Sequence, residues 1–500
     1  MTPSPPQVAA RPEAPAAARP GYARPRRWLE GLLVITALLL GLYARCWMTQ
    51  GFLFAGADSY SYTSAAAELR QHHRYGFRLP PWYPIRPSAP PPGRCRPPGY
   101  PLLLAALGTQ DEKDYPPFFE RTKHVQWFLD IGAALCVYLL GRTLAGRLVA
   151  ALALAAYLLH PTMMAYSGSI MTETTAVAFS ALALWLCAVA CEPRRSLRAA
   201  TRALCGAGVA VALGMLVRAD GVLLGPCLLL PLGLRREPLR ARGRMVALTL
   251  LCALVTYSPW VLRNLHTFGA PYAFGSLCEI DGTPIERTWF HHWYASWVRT
   301  EHDLLSTQGC IYRRTCATSM IMFPEYAFDS DAERLRVYQL LWQHSREGMS
   351  ASIDDGFHEL WRQKVLRHPL RTLVLAPAHR ARHLWLGAND LPTRARPPEQ
   401  PTRLPREHRL YLRLAQMSAW LALSGLFSLL LPVWRARRNI LGLSLLAIGV
   451  RTGFLALLGF PEPRYILELL PLTLVLGGIA LATPLRLALL AHAGSRTDRR

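Results

Sequence analysis

The hydrophobic residues of this chain lie in runs of about twenty, separated by polar loops. A helix of that length crosses a hydrocarbon core roughly 30 Å thick. The runs therefore predict an all-α polytopic membrane protein with about ten or more transmembrane helices. The candidate spans are 28–48, 127–140, 148–165, 174–190, 203–217, 222–234, 245–261, 414–431, 440–460 and 466–489.

Basic residues are concentrated in alternate loops. If the first span starts in the cytoplasm, every strongly basic loop falls on the cytoplasmic side, as the positive-inside rule requires. These segments are Arg142 with Arg147, 194–202, 235–244, 434–438 and 495–500. The pattern predicts cytoplasmic N- and C-termini. The loop 50–123, the long segment 266–413 and three short turns then lie on the outer side of the membrane.

The formal net charge of +24 would also fit a nucleic-acid-binding protein if the chain were soluble. The placement of the basic residues between the spans favours membrane topology as the explanation. The chain shows neither zinc-finger spacing nor an array of aromatic and basic residues suited to single strands. We therefore expect membrane lipids as partners and no nucleic acid.

The eleven cysteines lie mostly in apolar runs and are too few for a disulfide scaffold. Cys310 and Cys316 are set apart by the polar sequence GCIYRRTC. They can close a small disulfide ring if their loop faces an oxidising compartment. Two free thiols are the alternative, and the sequence leaves both open.

Polar residues from many separate loops are predicted to meet at the outer membrane face. The topology brings to that face Asp58, Arg96, Glu173, Arg218, Asp220, Arg263, Asn264, Arg464 and Tyr465. Charged groups at span ends cost little, whereas those at mid-membrane cost roughly 2.5–3.5 kcal/mol on insertion scales. This collection of acids and arginines at one face predicts a cleft that opens outward.

Three of these residues also have ordinary structural explanations. Asp58 precedes an alanine-rich sequence typical of a helix, where an N-cap contributes about 1 kcal/mol. Arg96 in RPPGYP is either a solvated arginine in a rigid turn or a guanidinium held for bidentate contact with a phosphate. Glu173 in the first turn of a span is favoured by the helix dipole.

Six short motifs follow one another along the chain: GADSYSYTSAAAEL, RPPGYPLLLAAL, SGSIMTETTAVAF, LGMLVRADGVLLGP, PWVLRNLHTFGAPY and PRYILELLPLTL. Together they resemble the bacterial branch of the dolichyl-phosphate-mannose-protein mannosyltransferase family, glycosyltransferase family 39. The aminoarabinose transferases of lipid A share its GT-C architecture. The resemblance extends from about Trp28 to Leu489 and implies a GT-C-type helical bundle with short helices in its periplasmic loops.

The resemblance implies a glycosyltransferase that moves a hexosyl or pentosyl group from a polyprenyl-phosphate-linked donor to a hydroxyl of a protein or glycolipid. It also implies a bacterial inner (plasma) membrane, with the outer side periplasmic and the active site on that face. By position, Asp58 is the general base and Arg96 contacts the donor phosphate. Glu173 matches the family's acid at the start of the fourth span. Arg263 and Arg464 are further candidates for the phosphate. The other active-site candidates are Tyr62, Tyr100, Arg218, Asp220, Asn264 and Tyr465.

One position departs from the family pattern. Many relatives have a second acid directly after the first, whereas Ser59 stands there in this chain. Two carboxylates are the usual way to hold a divalent ion against a pyrophosphate. The adjacent pairs His72-His73 and His291-His292 lack a ligand set. We therefore predict a monophosphate donor whose charge is neutralised by arginines, and a single inverting displacement. We predict no metal site and no required cofactor. The sequence leaves open whether a divalent metal takes part.

Five segments result. Residues 1–27 are a proline- and alanine-rich, disordered cytoplasmic tail. Residues 28–265 are the transmembrane catalytic core, which contains the first outer loop, 50–123. The segment 266–413 is periplasmic or interfacial, 414–489 holds the C-terminal transmembrane helices, and 490–500 is a basic cytoplasmic tail.

Two alternatives keep the membrane fold but change the function. A transporter or flippase of lipid-linked sugars would be expected to bind at the bilayer midplane between repeated halves, and the sequence shows no internal repeat. A catalytically inactive GT-C relative is the other alternative, and the sequence does not exclude it.

Overall fold

Helices form where the apolar runs predict them. The structure, a computed structural model, describes residues 27–49, 57–76, 92–108, 115–274, 289–304, 323–387 and 404–497. The tail 1–26 and the pair Cys310 and Cys316 lie outside these ranges, so the predictions for them remain untested. The described residues contain one isolated antiparallel bridge, between Gly76 and Pro92, and are otherwise helical or irregular.

The α-helices are α1 (Arg27–Met48), α2 (Ala57–His72), α3 (Gly99–Leu107), α4 (Tyr115–Leu144), α5 (Arg147–Leu158), α6 (Pro161–Ser167), α7 (Glu173–Ala190), α8 (Leu197–Val217), α9 (Leu230–Leu234), α10 (Leu239–Phe268), α11 (Trp289–Ala295), α12 (Asp331–Glu347), α13 (Ala351–Arg367), α14 (Ala376–Leu386), α15 (Leu404–Ser428), α16 (Arg438–Leu458) and α17 (Leu470–Thr497). Short 3-10 helices cover Ala219–Leu229, Glu325–Ala327, Pro432–Arg437 and Pro463–Leu469, and a π-helical turn covers Arg371–Leu375.

In the described part of the chain, seven helices are long and apolar enough to cross a membrane, or eight if the bent pair α5 and α6 is one span. The all-α polytopic membrane fold is thereby confirmed. Two predicted spans are not among these helices. The span 222–234 lies in the apolar segment Ala219–Leu234, which is shorter than the spanning helices. The span 414–431 lies mostly in α15, which is not one of the seven.

The predicted span 148–165 is broken rather than continuous. Its two pieces, α5 and α6, meet at 54°, and Pro161 begins the second piece. The fully buried guanidinium of Arg45 donates to the carbonyl of Leu158 at the break, at 3.2 Å, and pairs with the buried carboxylate of Asp130. Tyr157 donates to the other oxygen of Asp130 at 2.6 Å. This buried group holds the bend that leads the chain back towards α7.

A separate small core forms between α11, α12 and α13. Trp293 and Phe357 are fully buried in it, and Ser330 and Ser350 cap the two longer helices by accepting from Glu333 N and Ile353 N. α14 connects this part to the bundle. Its buried Arg380 donates to Ala295 O at 2.6 Å, Val298 O at 2.8 Å and Ala456 O at 2.5 Å.

Close helix packing depends on small residues. At Gly425 in α15, a Cβ atom would lie 2.1 Å from the carbonyl oxygen of Leu476 in α17. Gly449 in α16 has nothing within 4 Å of the same position. Helices in membranes approach closely where glycine leaves such room.

We predict that Gly425→Ala destabilises the protein by about 1–3 kcal/mol, because the added methyl forces α15 away from α17. The midpoint of thermal unfolding in detergent measures the effect. Gly449→Ala is the matched control and should leave that midpoint unchanged or slightly higher. Equal midpoints for the two variants would contradict the packing described for α15 and α17.

Candidate functional site

Charged side chains from four separated parts of the chain meet at one end of the bundle. Asp58 lies in the first turn of α2, Glu173 begins α7, Arg218 follows α8, and Arg464 lies in the 3-10 helix that precedes α17. Because successive spans reverse direction, these positions share one end. The structure thus brings together these four of the residues that the topology assigned to one face.

Asp58 is held by two arginines. Its Oδ1 atom accepts from Arg96 Nη2 at 2.5 Å, and its Oδ2 atom accepts from Arg464 Nη1 at 3.0 Å. Burial by itself would raise the pKa of Asp58, but the charges of the two arginines outweigh this effect and hold the pKa well below its ordinary value. Asp58 is the second residue of α2, and its carboxylate binds arginines; it is therefore ionised and oriented at neutral pH.

Arg464 contacts three carboxylates. Besides Asp58, its Nε atom donates to Glu462 Oε2 at 2.6 Å, and its Nη1 atom lies 3.9 Å from Glu173 Oε1. Glu462 is 3% exposed, so this ion pair is shielded from water. The guanidinium is therefore fixed in orientation between the acids of two different segments.

Arg218 links Glu173 to the interior. It donates from Nη1 to Glu173 Oε1 and to Thr172 Oγ1, both at 3.2 Å. Its other donors reach Asp220 at 3.2 and 3.3 Å, and its Nε atom lies 3.3 Å from Glu468 Oε1. The three carboxylates surround one cation.

Arg451 and Glu468 complete the network, and sequence reasoning missed both. Arg451 is fully buried and contacts Glu468 Oε1 at 2.9 Å, Glu468 Oε2 at 3.0 Å and Asp220 Oδ2 at 2.6 Å. It also donates to the backbone oxygens of Tyr465 at 2.6 Å and Asp220 at 3.2 Å. One feature of the sequence could have identified both residues: each is a charged residue inside an apolar run. Such residues are rare and are usually paired with an opposite charge.

One oxygen of the network stays without a hydrogen bond. Glu173 is 2% exposed, and its Oε2 atom has no hydrogen-bond partner among the described residues. A buried acceptor without a partner is costly, so it calls for a specific explanation such as a bound ligand or water. Glu173 is therefore able to accept a hydrogen bond from a ligand.

Tyrosine rings line the charged groups. Tyr62 OH lies 3.5 Å from Arg96 Nη1, and its ring packs edge-on against Tyr100 at 5.3 Å between centroids. The Tyr465 ring lies beneath two guanidinium groups, at 4.8 Å from Arg218 Cζ and 5.4 Å from Arg464 Cζ. Burial raises the pKa of Tyr62, so its hydroxyl remains a neutral donor.

Hydrogen bonds connect the turn before α7 to α2 and, through Gln126 of α4, to Tyr100 of α3. Tyr100 OH donates to Gln126 Oε1 at 2.7 Å, and Gln126 Nε2 donates to Ser169 O at 2.7 Å. Ser59 Oγ donates to Ile170 O at 2.8 Å. The Ser59 side chain thus fastens α2 to this turn.

Arg263 and Asn264 form a separate group that does not contact the acids. Arg263 donates to Gly93 O at 2.7 Å and to Tyr75 O at 3.0 Å, and Asn264 donates to Tyr272 O at 2.8 Å. Tyr75 OH in turn donates to Arg96 O at 2.8 Å. This group fastens the loop segment before Arg96 to the end of α10.

A metal site is not evident in the described ranges. No group of three or more histidine, cysteine, aspartate or glutamate side chains there is arranged to hold an ion. The acids of the site are instead surrounded by Arg96, Arg218, Arg451 and Arg464.

The comparisons with known proteins agree with this architecture. The apo structure of the oligosaccharyltransferase from Archaeoglobus fulgidus is similar over 95% of this chain and 52% of its own, with a TM-score of 0.50 and 13% identity. A family model, dolichyl-phosphate-mannose-protein mannosyltransferase, matches residues 125–262. The chain has the GT-C fold.

Other GT-C structures are less similar. The A. fulgidus oligosaccharyltransferase AglB in complex with an inhibitory peptide and a dolichol-phosphate gives a TM-score of 0.49 at 12% identity, over 94% of this chain and 52% of that one. ArnT from Cupriavidus metallidurans bound to undecaprenyl phosphate gives a TM-score of 0.39 at 12% identity, over 92% of this chain and 78% of ArnT. This chain spans about half the length of AglB. No curated protein matches it significantly.

We predict that Arg451→Met destabilises the GT-C bundle by about 3–5 kcal/mol, because it leaves the buried Glu468 and the partly buried Asp220 without that cation. Thermal unfolding in lipid nanodiscs is the measurement. Arg362→Met, which removes an exposed partner of Glu359, should cost less than about 1 kcal/mol. An Arg451→Met effect as small as that of the control would show that the network contributes little.

Proposed function

We propose that this protein is a glycosyltransferase that moves a sugar from a polyprenyl phosphate to an acceptor hydroxyl, with Asp58 as the general base. The observation that carries the proposal is the placement of Asp58 between Arg96 and Arg464 at one end of a GT-C bundle. Asp58 is also the most accessible acid that contacts these arginines, at 26% exposure of its side chain.

The proposed reaction is a single displacement at the anomeric carbon. The acceptor oxygen bonds to that carbon as the bond to the phosphate oxygen breaks. The acceptor proton passes to Asp58, and the electron pair of the broken bond remains on the polyprenyl phosphate. A positioned base contributes typically 10²–10⁴ in rate, and fixed cations stabilise the charge on the leaving group.

The exposure of the arginines supports Arg96 as the first contact for the donor phosphate. The Arg96 side chain is 42% exposed, compared with 22% for Arg464, 13% for Arg218 and 0% for Arg451. Guanidinium groups bind phosphate oxygens bidentately. In this proposal Arg464 supports the same phosphate, whereas Arg263 holds the loop through backbone carbonyls.

Binding of the donor phosphate also changes the basicity of the Asp58 carboxylate in this proposal. In the free protein both of its oxygens are bound by arginines, so its basicity is low. A donor phosphate that draws Arg96 towards itself frees Oδ1 and raises the basicity of the carboxylate. The acceptor hydroxyl then meets a stronger base only after the donor has bound.

We place the site on the periplasmic face and both termini in the cytoplasm. The distribution of basic loops supports this orientation. Cys95, the residue before Arg96, is disulfide-bonded, and disulfides persist in oxidising compartments.

The comparisons support the substrate class. The matched family model describes enzymes that use dolichyl-phosphate-mannose and a protein acceptor. The corresponding donor for this chain is a polyprenyl-phosphate-linked sugar, and the acceptor is a protein or glycolipid hydroxyl.

We expect Asp58→Asn to lower kcat by at least about 10²-fold, because the amide cannot take the acceptor proton. Sugar transfer from a synthetic polyprenyl-phosphate sugar to envelope acceptors, with purified protein in nanodiscs, measures this loss. Glu359→Gln makes the same chemical change at an exposed carboxylate of α13 and should leave kcat unchanged. Full activity of Asp58→Asn would remove Asp58 from the role of base.

The pH dependence tests the contact between Arg96 and Asp58. The acid limb of kcat/KM in the wild type should lie below pH 3.8, the ordinary carboxyl pKa, because the arginines favour the ionised form. Removing one cation raises the pKa of Asp58, so Arg96→Gln should move this limb to higher pH by about one unit. Arg362→Gln should not move it. An unmoved limb in Arg96→Gln would contradict the assignment.

A further inference from the structure

Two acids of the site share one guanidinium nitrogen. Arg464 Nη1 lies 3.0 Å from Asp58 Oδ2 and 3.9 Å from Glu173 Oε1. Asp58 comes from α2 and Glu173 from α7, so Arg464 joins the two elements electrostatically. A pair of facing carboxylates is otherwise the arrangement that binds a divalent ion together with substrate phosphates.

We propose that Arg464 is the built-in cation of this site, which bridges Asp58 and Glu173 where a divalent ion would have to bind. The part of the proposal that concerns sugar transfer, namely that transfer needs no metal ion, rests on the proposed function. The part that concerns ion binding does not.

The surroundings of Arg464 oppose its displacement by a metal ion. Its Nε atom is bound to the buried Glu462 at 2.6 Å, so moving the guanidinium aside would leave that acid unpaired. Removing one partner of a buried ion pair costs several kcal/mol. A metal ion would have to compensate this cost before it gained anything from Asp58 and Glu173.

The ligand set also lacks a second acid next to Asp58 at the start of α2. Ser59, the residue after Asp58, is 1% exposed and donates to Ile170 O at 2.8 Å. Its side chain is therefore directed to the turn before α7. Among the described residues, the acids in contact with Arg464 are Asp58, Glu173 and Glu462.

The same geometry indicates what happens when the cation is removed. Glu173 Oε2 already lacks a hydrogen-bond partner in the described part of the chain. Loss of the Arg464 charge would remove the cation that pairs with Glu462 and with the Oδ2 atom of Asp58. Several carboxylate oxygens would then surround an empty position of suitable chemistry for Mg²⁺ or Mn²⁺.

The experiment measures Mn²⁺ binding by electron paramagnetic resonance to the full-length protein in nanodiscs of neutral lipid. Wild type and Arg464→Lys should show no site that depends on Glu173. Arg464→Gln should bind one Mn²⁺ at least about tenfold more tightly than wild type, because uncompensated acids now surround the position. The double variant Arg464→Gln with Glu173→Gln should lose this gain.

Two results would overturn the proposal: an Mn²⁺ site in wild type that Glu173→Gln abolishes, or an Arg464→Gln protein that folds and gains no Mn²⁺ affinity. If Arg464→Gln fails to fold, the wild-type measurement still decides.

A transfer assay separates this proposal from the proposed function. Wild-type transfer should be unchanged by EDTA, and transfer that EDTA stops and Mg²⁺ restores would overturn the proposal alone. If wild type transfers no sugar with or without metal, the proposed function fails, and the Mn²⁺ measurement still tests Arg464.

Discussion

The site depends on one constraint: charges at the end of an apolar bundle must be paired with one another. Four arginines and five acids meet this requirement across six segments of chain, and the fully buried Arg451 binds both 3-10 helices, Ala219–Leu229 and Pro463–Leu469. The network therefore fixes the segments that present Arg218 and Arg464.

In the proposed function, this arrangement lets a mostly neutralised site serve an anionic donor. The inner pairs, around Arg218 and Arg451, are shielded and hold the geometry, whereas the outer pair of Asp58 and Arg96 is accessible. Only the outer pair can exchange partners without exposing a buried charge. A transporter of lipid-linked sugars would be expected to bind at the bilayer midplane, whereas the accessible part of this network lies at the helix ends.

Sequence patterns predicted the membrane fold and much of the site, because run lengths and basic loops determine which side each polar residue occupies. Asp58, Glu173, Arg218 and Arg464 were assigned to one face on that basis. The pairing of Arg451 with Asp220, which are 231 positions apart, could not be predicted, since it depends on how α16 packs. The contacts of Arg263 with Tyr75 O and Gly93 O could not be predicted either, because the sequence does not show which part of the first outer loop packs against the end of α10.

The central claim is that this charged cluster binds the phosphate of a polyprenyl carrier next to Asp58. An electron cryomicroscopy reconstruction of the protein in nanodiscs with polyprenyl phosphate tests it most directly. The account predicts phosphate density within hydrogen-bond distance of the Arg96 guanidinium, with Asp58 still bound to Arg464. Phosphate density at the opposite end of the bundle, or at this end but away from Arg96 and Asp58, would contradict it.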